Sequence, residues 1–197
     1  MKNSMKFCRR VFAILLAFAC VFGMEVQAAG KNSWKLTDRK IVEPKLDNRR
    51  ADYFSAIDHG TLEITEKWNT GTSVTTTTYT AKFGGIPEAI TAGDTVTINA
   101  EITVVCDSHT GGVRTLGLSA ATNRGLDSFK IAEYKGESRY NDSTIYATTD
   151  NGEKGTASGT VAYTFPEGYD KKTISIAVHV NIFGTRMQYV YTYALAN

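Results

Sequence analysis

Four polar residues could form one hydrogen-bonding patch on a sheet surface. His179 and Asn181 alternate with an Ile/Val stripe in one predicted strand, and Asn99 and Glu101 alternate with a second such stripe. Alternate side chains of a strand face the same way, so these four point away from the apolar stripes. If the two strands are neighbours, the patch offers paired donors and acceptors for sugar hydroxyls. A merely solvated sheet face explains the same pattern.

Hydrolysis of a glycosidic bond would require two carboxylates across a cleft, roughly 5–10 Å apart. Glu63, Glu101 and Glu133 are the mid-strand or outward-facing candidates. The chain contains no E-x-D-x-x-E strand motif, G-x-S-x-G elbow, H-E-x-x-H motif or P-loop. The sequence therefore predicts no catalytic residue. A glycan-active hydrolase with paired carboxylates stays an alternative hypothesis.

Metal and cofactor chemistry find little support in the sequence. Two loop clusters, Asn141-Asp142-Ser143 and Asp150-Asn151-Gly152, offer oxygen ligands. Each is too small by itself for the six to eight ligands of calcium, and turn formation explains both. We therefore predict no metal ligand and no cofactor.

Aromatic side chains provide large apolar faces, on which sugar rings stack. Five of them fall in predicted arms, loops or polar strand faces: Trp34, Tyr134, Tyr140, Tyr146 and Tyr169. Together with Glu101, His179 and Asn181, these five are the predicted ligand-binding residues.

Period-two alternation, typical of half-buried strands, predicts the elements that must position these residues. The two clearest strands run from Val96 to Val104 and from Ile174 to Ile182, and the second turns through Gly184 into a C-terminal hairpin. The other predicted strands lie within 61–68, 74–83, 113–120, 128–134, 144–148 and 160–165. Residues 53–57 could form one short helical turn. About nine strands without crossover helices predict an all-β, antiparallel two-sheet sandwich, jelly-roll or immunoglobulin-like.

The N-terminal residues 1–28 have the three parts of a secretory signal peptide. A basic start ends at Arg10, an apolar run extends from Val11 to Met24, and small residues at the exit end at Ala28. We therefore expect cleavage after Ala28 and a secreted, extracellular protein. Residues 29–50 are predicted to be an N-terminal arm or linker, and residues 51–197 the β-sandwich domain.

Removal of the signal peptide changes the charge and the cysteine count. The chain has 22 Lys and Arg against 20 Asp and Glu; the leader takes four basic residues and one acidic residue, which leaves 18 against 19, a net charge of −1. A near-neutral domain has no electrostatic reason to bind nucleic acid or anionic lipid, and no later segment predicts membrane insertion. Cys106 is the one remaining cysteine, and it continues an apolar stripe, so we expect a buried thiol.

These observations favour a secreted, non-enzymatic recognition domain for a carbohydrate or a cell-surface partner. The first alternative is a structural, self-assembling extracellular protein whose exposed strand edges pair with other copies. The second is the hydrolase described above. The sequence leaves the ligand, the strand order, the oligomeric state and the binding of calcium by a loop open.

Overall fold

A computed structural model describes residues 30–42, 54–69, 74–106, 113–123, 127–136, 143–149, 154–182 and 185–196. The strands, in chain order, are β1 (Ser33–Val42), β2 (Phe54–Asp58), β3 (Thr61–Asn69), β4 (Val74–Gly84), β5 (Ala89–Thr91), β6 (Thr95–Cys106), β7 (Arg114–Thr122), β8 (Asp127–Ser128), β9 (Lys130–Gly136), β10 (Thr144–Thr149), β11 (Lys154–Thr164), β12 (Thr173–Ile182) and β13 (Thr185–Leu195). No helix long and apolar enough to cross a membrane occurs in this described part of the chain.

The strands form two antiparallel sheets. Sheet A has the order β10-β7-β12-β13-β1-β5, and the short β8 also pairs with β7. Sheet B has the order β2-β3-β4-β6-β11-β9. The predicted all-β, antiparallel two-sheet sandwich is confirmed, and each of the nine strands expected from alternation is present. Four further strands, β1, β2, β5 and β8, accompany them.

The core lies between the two sheets and is built from the alternating stripes. In β6, Val96, Ile98, Ala100, Ile102 and Val104 are all buried. The corresponding stripe of β12 in sheet A, from Ile174 to Ile182, is buried as well. Burial of these aliphatic side chains removes apolar surface from water, which is the main favourable contribution to folding. Polar side chains of the same strands consequently face outward.

Aromatic residues join the two sheets across the core. The ring of Phe83 on β4 meets that of Tyr189 on β13 edge to face, with centroids 4.8 Å apart. The hydroxyl of Tyr189 donates to the carbonyl of Thr61 in sheet B at 3.5 Å. Edge-to-face pairs are a favourable aromatic geometry, so these contacts fix how sheet A lies on sheet B.

Part of the predicted N-terminal arm is a strand of the sandwich. β1 pairs with β13 on one side and with β5 on the other, and it belongs to the compact unit Asn32–Asn197. The register shifts between Leu36 and Asp38, which moves the inward positions from even to odd residue numbers. This irregularity removed the period-two signal, so the sequence predicted an arm or linker for residues 29–50 and did not reveal the strand at residues 33–42.

Two local predictions also differ from the structure. The segment that could have formed a helical turn is β2, which pairs with β3 from Phe54 opposite Thr65 to Asp58 opposite Thr61. Pairing with a neighbouring strand overrides a weak local helix preference. The strand predicted from residue 160 begins at Lys154, because Gly155 and Gly159 interrupt the alternation of large side chains without interrupting the strand. The predicted signal peptide, residue 29 and residues 43–50 of the arm lie outside the described residues.

Candidate functional site

The outer face of sheet B carries a groove of about 430 Å³. Its lining comes from β3, β4, β6, β9, β11 and the turn before β3, and consists of Gly60, Thr61, Lys82, Phe83, Gly84, Asn99, Ala100, Glu101, Glu133, Lys135, Ser158, Gly159 and Thr160. Phe83 is the one aromatic lining residue, and it is buried in the core. The exposed lining is therefore polar, and we call this site the sheet B groove.

Strand register explains how the groove is formed. On β11, Ser158 pairs with Glu101 of β6 and with Lys135 of β9. Two residues further along β11, Thr160 pairs in the same way with Asn99 and Glu133. Small side chains on β11 thus form the floor between longer side chains on β6 and β9. Because β6 and β9 are separated by two strand spacings, the groove is roughly 10 Å wide.

Both walls of the groove carry charge. On β9, the Lys135 ammonium lies 2.7 Å from a Glu133 carboxylate oxygen, and this contact raises the pKa of Lys135 above its ordinary value. On the other wall, Glu101 is paired in register with Lys82 of β4. All four side chains are exposed. The groove therefore has acceptors and cations on both sides with no net excess of either sign.

A glycine brings the second wall close to the floor. The β9 register shifts opposite Thr160 and Val161, and at this irregularity the backbone of β9 approaches Gly159. A Cβ on Gly159 would lie 2.2 Å from the carbonyl oxygen of Glu133, a distance that no real side chain tolerates. Glycine at this position thus allows the bulge that carries Glu133 and Lys135 alongside Ser158 and Thr160.

No family model, curated protein or solved structure matches this chain.

The structure separates the four residues that were considered as one patch. β6 lies in sheet B and β12 lies in sheet A. Glu101 and Asn99 therefore lie on the outer face of sheet B, and His179 and Asn181 lie on the outer face of sheet A, on the opposite side of the sandwich. Glu101 lines the sheet B groove. The predicted four-residue patch therefore does not form, because it required β6 and β12 to be neighbouring strands.

His179 and Asn181 instead share the outer face of sheet A with Tyr146, one of the predicted aromatic residues. Asn181 pairs with Gly117 of β7, and Gly117 pairs with Tyr146 of β10. His179 lies two residues from Asn181 on the same outer face of sheet A. Tyr146 and Asn181 are partly exposed, whereas His179 is buried. Three of the predicted ligand-binding residues thus share one surface.

Arg186 covers the imidazole of His179. The Nη2 atom of Arg186 lies 2.8 Å from Nε2 of His179 and also contacts Nδ1. Burial, and secondly the positive charge of Arg186, lower the pKa of His179 to about 4. A guanidinium can only donate hydrogen bonds, so it requires the neutral imidazole as acceptor. Near neutral pH this pair therefore carries the single positive charge of Arg186.

Two predicted aromatic residues belong to the core. Trp34 is fully buried, and its Nε1 donates to the carbonyl of Lys171 at 2.7 Å. The partly buried ring of Tyr169 packs edge to face against Trp34 and against Phe165, and its hydroxyl is hydrogen-bonded to Asn123. Trp34 is therefore inaccessible to a ligand, and Tyr169 helps close one end of the sandwich.

Tyr134, another of the predicted aromatic residues, packs against the core. It lies on β9, pairs with Gly159 and donates from its hydroxyl to the carbonyl of Tyr146 at 3.3 Å. It joins the sheets and does not face the groove. Tyr140 lies outside the described residues.

The groove contains functional candidates that the sequence did not single out. Lys82, Lys135, Ser158 and Thr160 alternate with apolar residues, which indicates an outward face. Only the strand order reveals which outward faces adjoin. Among the described residues, no group of three or more His, Cys, Asp or Glu side chains could hold a metal ion. The chemistry that the groove offers is hydrogen bonding and ion pairing.

Proposed function

We propose that this chain is a secreted, non-enzymatic recognition domain that binds carbohydrate in the sheet B groove. The observation that carries the proposal is the groove itself, with a floor of small hydroxyl-bearing residues between two walls of amide, carboxylate and ammonium groups. Such groups hydrogen-bond to sugar hydroxyls, since each hydroxyl is both a donor and an acceptor.

The position of these groups favours binding over a mere solvated surface. Asn99, Glu101, Ser158 and Thr160 project from paired central strands, whose backbone is fixed by hydrogen bonds on both sides. A fixed backbone holds the Cα positions of these side chains in place, so less freedom is lost on binding than from a mobile loop. The groove lacks an exposed aromatic lining residue. Recognition by hydrogen bonds, rather than ring stacking, is therefore the expected mode at this site.

The β9 edge of sheet B does not favour the self-assembly alternative. β9 is an edge strand, and it exposes Lys130, Glu133 and Lys135. It also contains an irregularity in its pairing with β11. Charged side chains and bulges are the usual means by which proteins prevent edge strands from pairing with other copies.

A hydrolase remains a second candidate because Glu101 and Glu133 lie on opposite walls of one groove. Two strand spacings and a two-residue offset separate their Cα atoms by about 12 Å. Glycosidases hold their two carboxyl groups roughly 5–10 Å apart. Bond cleavage would therefore require both side chains to lean over Ser158 and Thr160.

The test is binding of the purified protein to a broad glycan array, followed by titration of the glycans that bind. Asn99→Ala and Glu101→Gln should each weaken binding at least about tenfold, as expected for the loss of hydrogen bonds in a site. Thr103→Ala, on the same face of β6 but outside the groove lining, is the matched control. Binding to no glycan, or equal affinity in all variants, overturns the proposal.

Incubation with the bound glycans separates recognition from hydrolysis. Unchanged glycans after prolonged incubation support a binding domain. New reducing ends that disappear in both Glu101→Gln and Glu133→Gln would establish the hydrolase instead. Secretion is tested by N-terminal sequencing of the exported protein, which should begin at Ala29 if the signal peptide ends at Ala28.

A further inference from the structure

We infer that the outer face of sheet A holds a second ligand site, which binds a sugar residue bearing a carboxylate. The site consists of Tyr146, Gly117, Asn181 and Arg186, which follow one another across β10, β7, β12 and β13. It lies on the opposite face of the sandwich from the sheet B groove, and its chemistry differs from that of the groove.

The aromatic component of the site is positioned by a glycine. The Tyr146 ring leans over Gly117, and its Cε1 and Cδ1 atoms lie 3.0 and 3.2 Å from the point that a Cβ on Gly117 would occupy. An aromatic ring that covers a glycine in a neighbouring strand also compensates for the missing side chain. Tyr146 nevertheless remains partly exposed. An apolar ring surface therefore lies beside the Asn181 amide.

The cationic component is held over the sheet. Arg186 is exposed, but its guanidinium contacts the ring of His179 on β12. This contact places the positive charge near Asn181, since residues two apart on a strand are about 7 Å apart on the same face. His179 stays neutral at physiological pH because its pKa is lowered to about 4. The imidazole therefore orients the cation without adding a second charge.

Charge complementarity selects the ligand. Two register rows surround the site, and their outward positions on β10, β7, β12 and β13 are Tyr146, Gly117, Asn181 and Arg186 in one row and Thr144, Ser119, His179 and Gln188 in the next. None of them is a carboxylate. A pyranose ring with one carboxylate matches this surface. The sugar ring can lie on the aromatic ring, its hydroxyls can bond to the amide and hydroxyl groups, and its carboxylate can pair with the one cation. Arginine is well suited to carboxylate because its donors form a planar fork.

The experiment uses sodium glucuronate and methyl glucoside as an acidic and a neutral probe of similar ring size. Each is titrated into the purified full chain while amide NMR signals are recorded. We expect glucuronate to shift the signals of Gly117, Tyr146, Asn181 and Arg186, and to bind at least tenfold more tightly than methyl glucoside. Arg186→Gln should abolish this preference.

Two further variants separate the site from a general effect on folding. Gly117→Ala should displace the Tyr146 ring and weaken glucuronate binding at least threefold, with the melting temperature used to verify folding. Glu101→Gln, in the sheet B groove, should leave glucuronate affinity unchanged. Equal affinity for both probes, or a preference that survives Arg186→Gln, overturns the inference. If Glu101→Gln loses glucuronate binding, glucuronate binds in the sheet B groove. That result overturns the second site on sheet A and leaves the proposed function of the groove standing.

Discussion

Gly155 at the start of β11 packs directly against the backbone carbonyl of Thr148 on β10. A Cβ on Gly155 would lie 1.8 Å from the Thr148 oxygen and 3.1 Å from its nitrogen. β10 is an edge of sheet A and β11 belongs to sheet B, so this contact joins the two sheets along one side of the sandwich. The same side is joined by the hydrogen bond from Tyr134 to the carbonyl of Tyr146.

Substitution of Gly155 by alanine should therefore separate two backbones rather than displace a flexible side chain. We expect Gly155→Ala to lower the free energy of unfolding by about 3 kcal/mol or more, at the upper end of the range for overpacked positions. Gly168→Ala is the control, since a Cβ there meets nothing within 4 Å. It should change stability by less than about 0.5 kcal/mol. Urea unfolding measures both, and equal midpoints would contradict the close contact.

The Cys106 thiol should resist chemical modification in the native protein. Cys106 is 4% exposed, and its sulfur accepts a hydrogen bond from the Thr77 hydroxyl at 3.5 Å. A labelling reagent reaches such a thiol only when the surrounding strands open. We expect labelling by a maleimide to be slower by a factor on the order of 100 or more in buffer than in concentrated urea. Equal rates under both conditions would place the thiol at the surface.

Alternation predicted the fold because most strands have one face on the core and one in water. The stripes of β6 and β12 are regular over their full length. Burial follows the sequence pattern throughout β6, and in β12 it departs from the pattern at His179, which is buried although it lies on the outer face. β1 escaped prediction for the opposite reason. Its register shift places Trp34 and Ile41 on the same inner surface at an odd spacing, so no single period connects them.

The candidate site was less predictable than the fold because it depends on strand order. Glu101 and Glu133 are far apart in sequence, and only the insertion of β11 between β6 and β9 brings them to one groove. Strand order reflects long-range packing, which leaves no local pattern. His179 and Asn181 were predicted to share one strand face and Tyr146 was predicted separately, and the pairing through Gly117 was not visible in the sequence.

The stability of the protein should depend on pH through His179. Its pKa is lowered to about 4 in the folded protein, against an ordinary value of 6.5. Between these values the unfolded chain binds the proton and the folded chain does not, so the free energy of unfolding falls as the pH falls through this window. Below about pH 4 the contribution of this residue stays constant. We expect His179 to account for about 1–3 kcal/mol of the loss, from the size of the shift and the proximity of solvent.

Comparison with His179→Gln isolates this effect from the titration of carboxylates. The free energy of unfolding is measured for both proteins by urea denaturation at pH 7 and at pH 4. The native protein should lose more stability than the variant over this interval. Parallel losses in the two proteins would show that the imidazole is protonated as readily in the folded state as in the unfolded chain.

Gly84 offers a way to fill the sheet B groove without disturbing the fold. It lies beside Asn99 in the register of β4 and β6, lines the groove, and a Cβ built on it meets nothing within 4 Å. Gly84→Tyr should therefore place a ring in the groove and reduce glycan binding at least about tenfold. Because glycine weakens strands, the melting temperature of this variant should be equal to that of the native protein or slightly higher. Thr78→Tyr, on the same face of β4 but outside the lining, is the matched control and should bind as the native protein does. Full glycan binding by a folded Gly84→Tyr variant would exclude the groove as the binding site. Loss of binding in Gly84→Tyr but not in Thr78→Tyr would locate the ligand above Asn99 and Thr160.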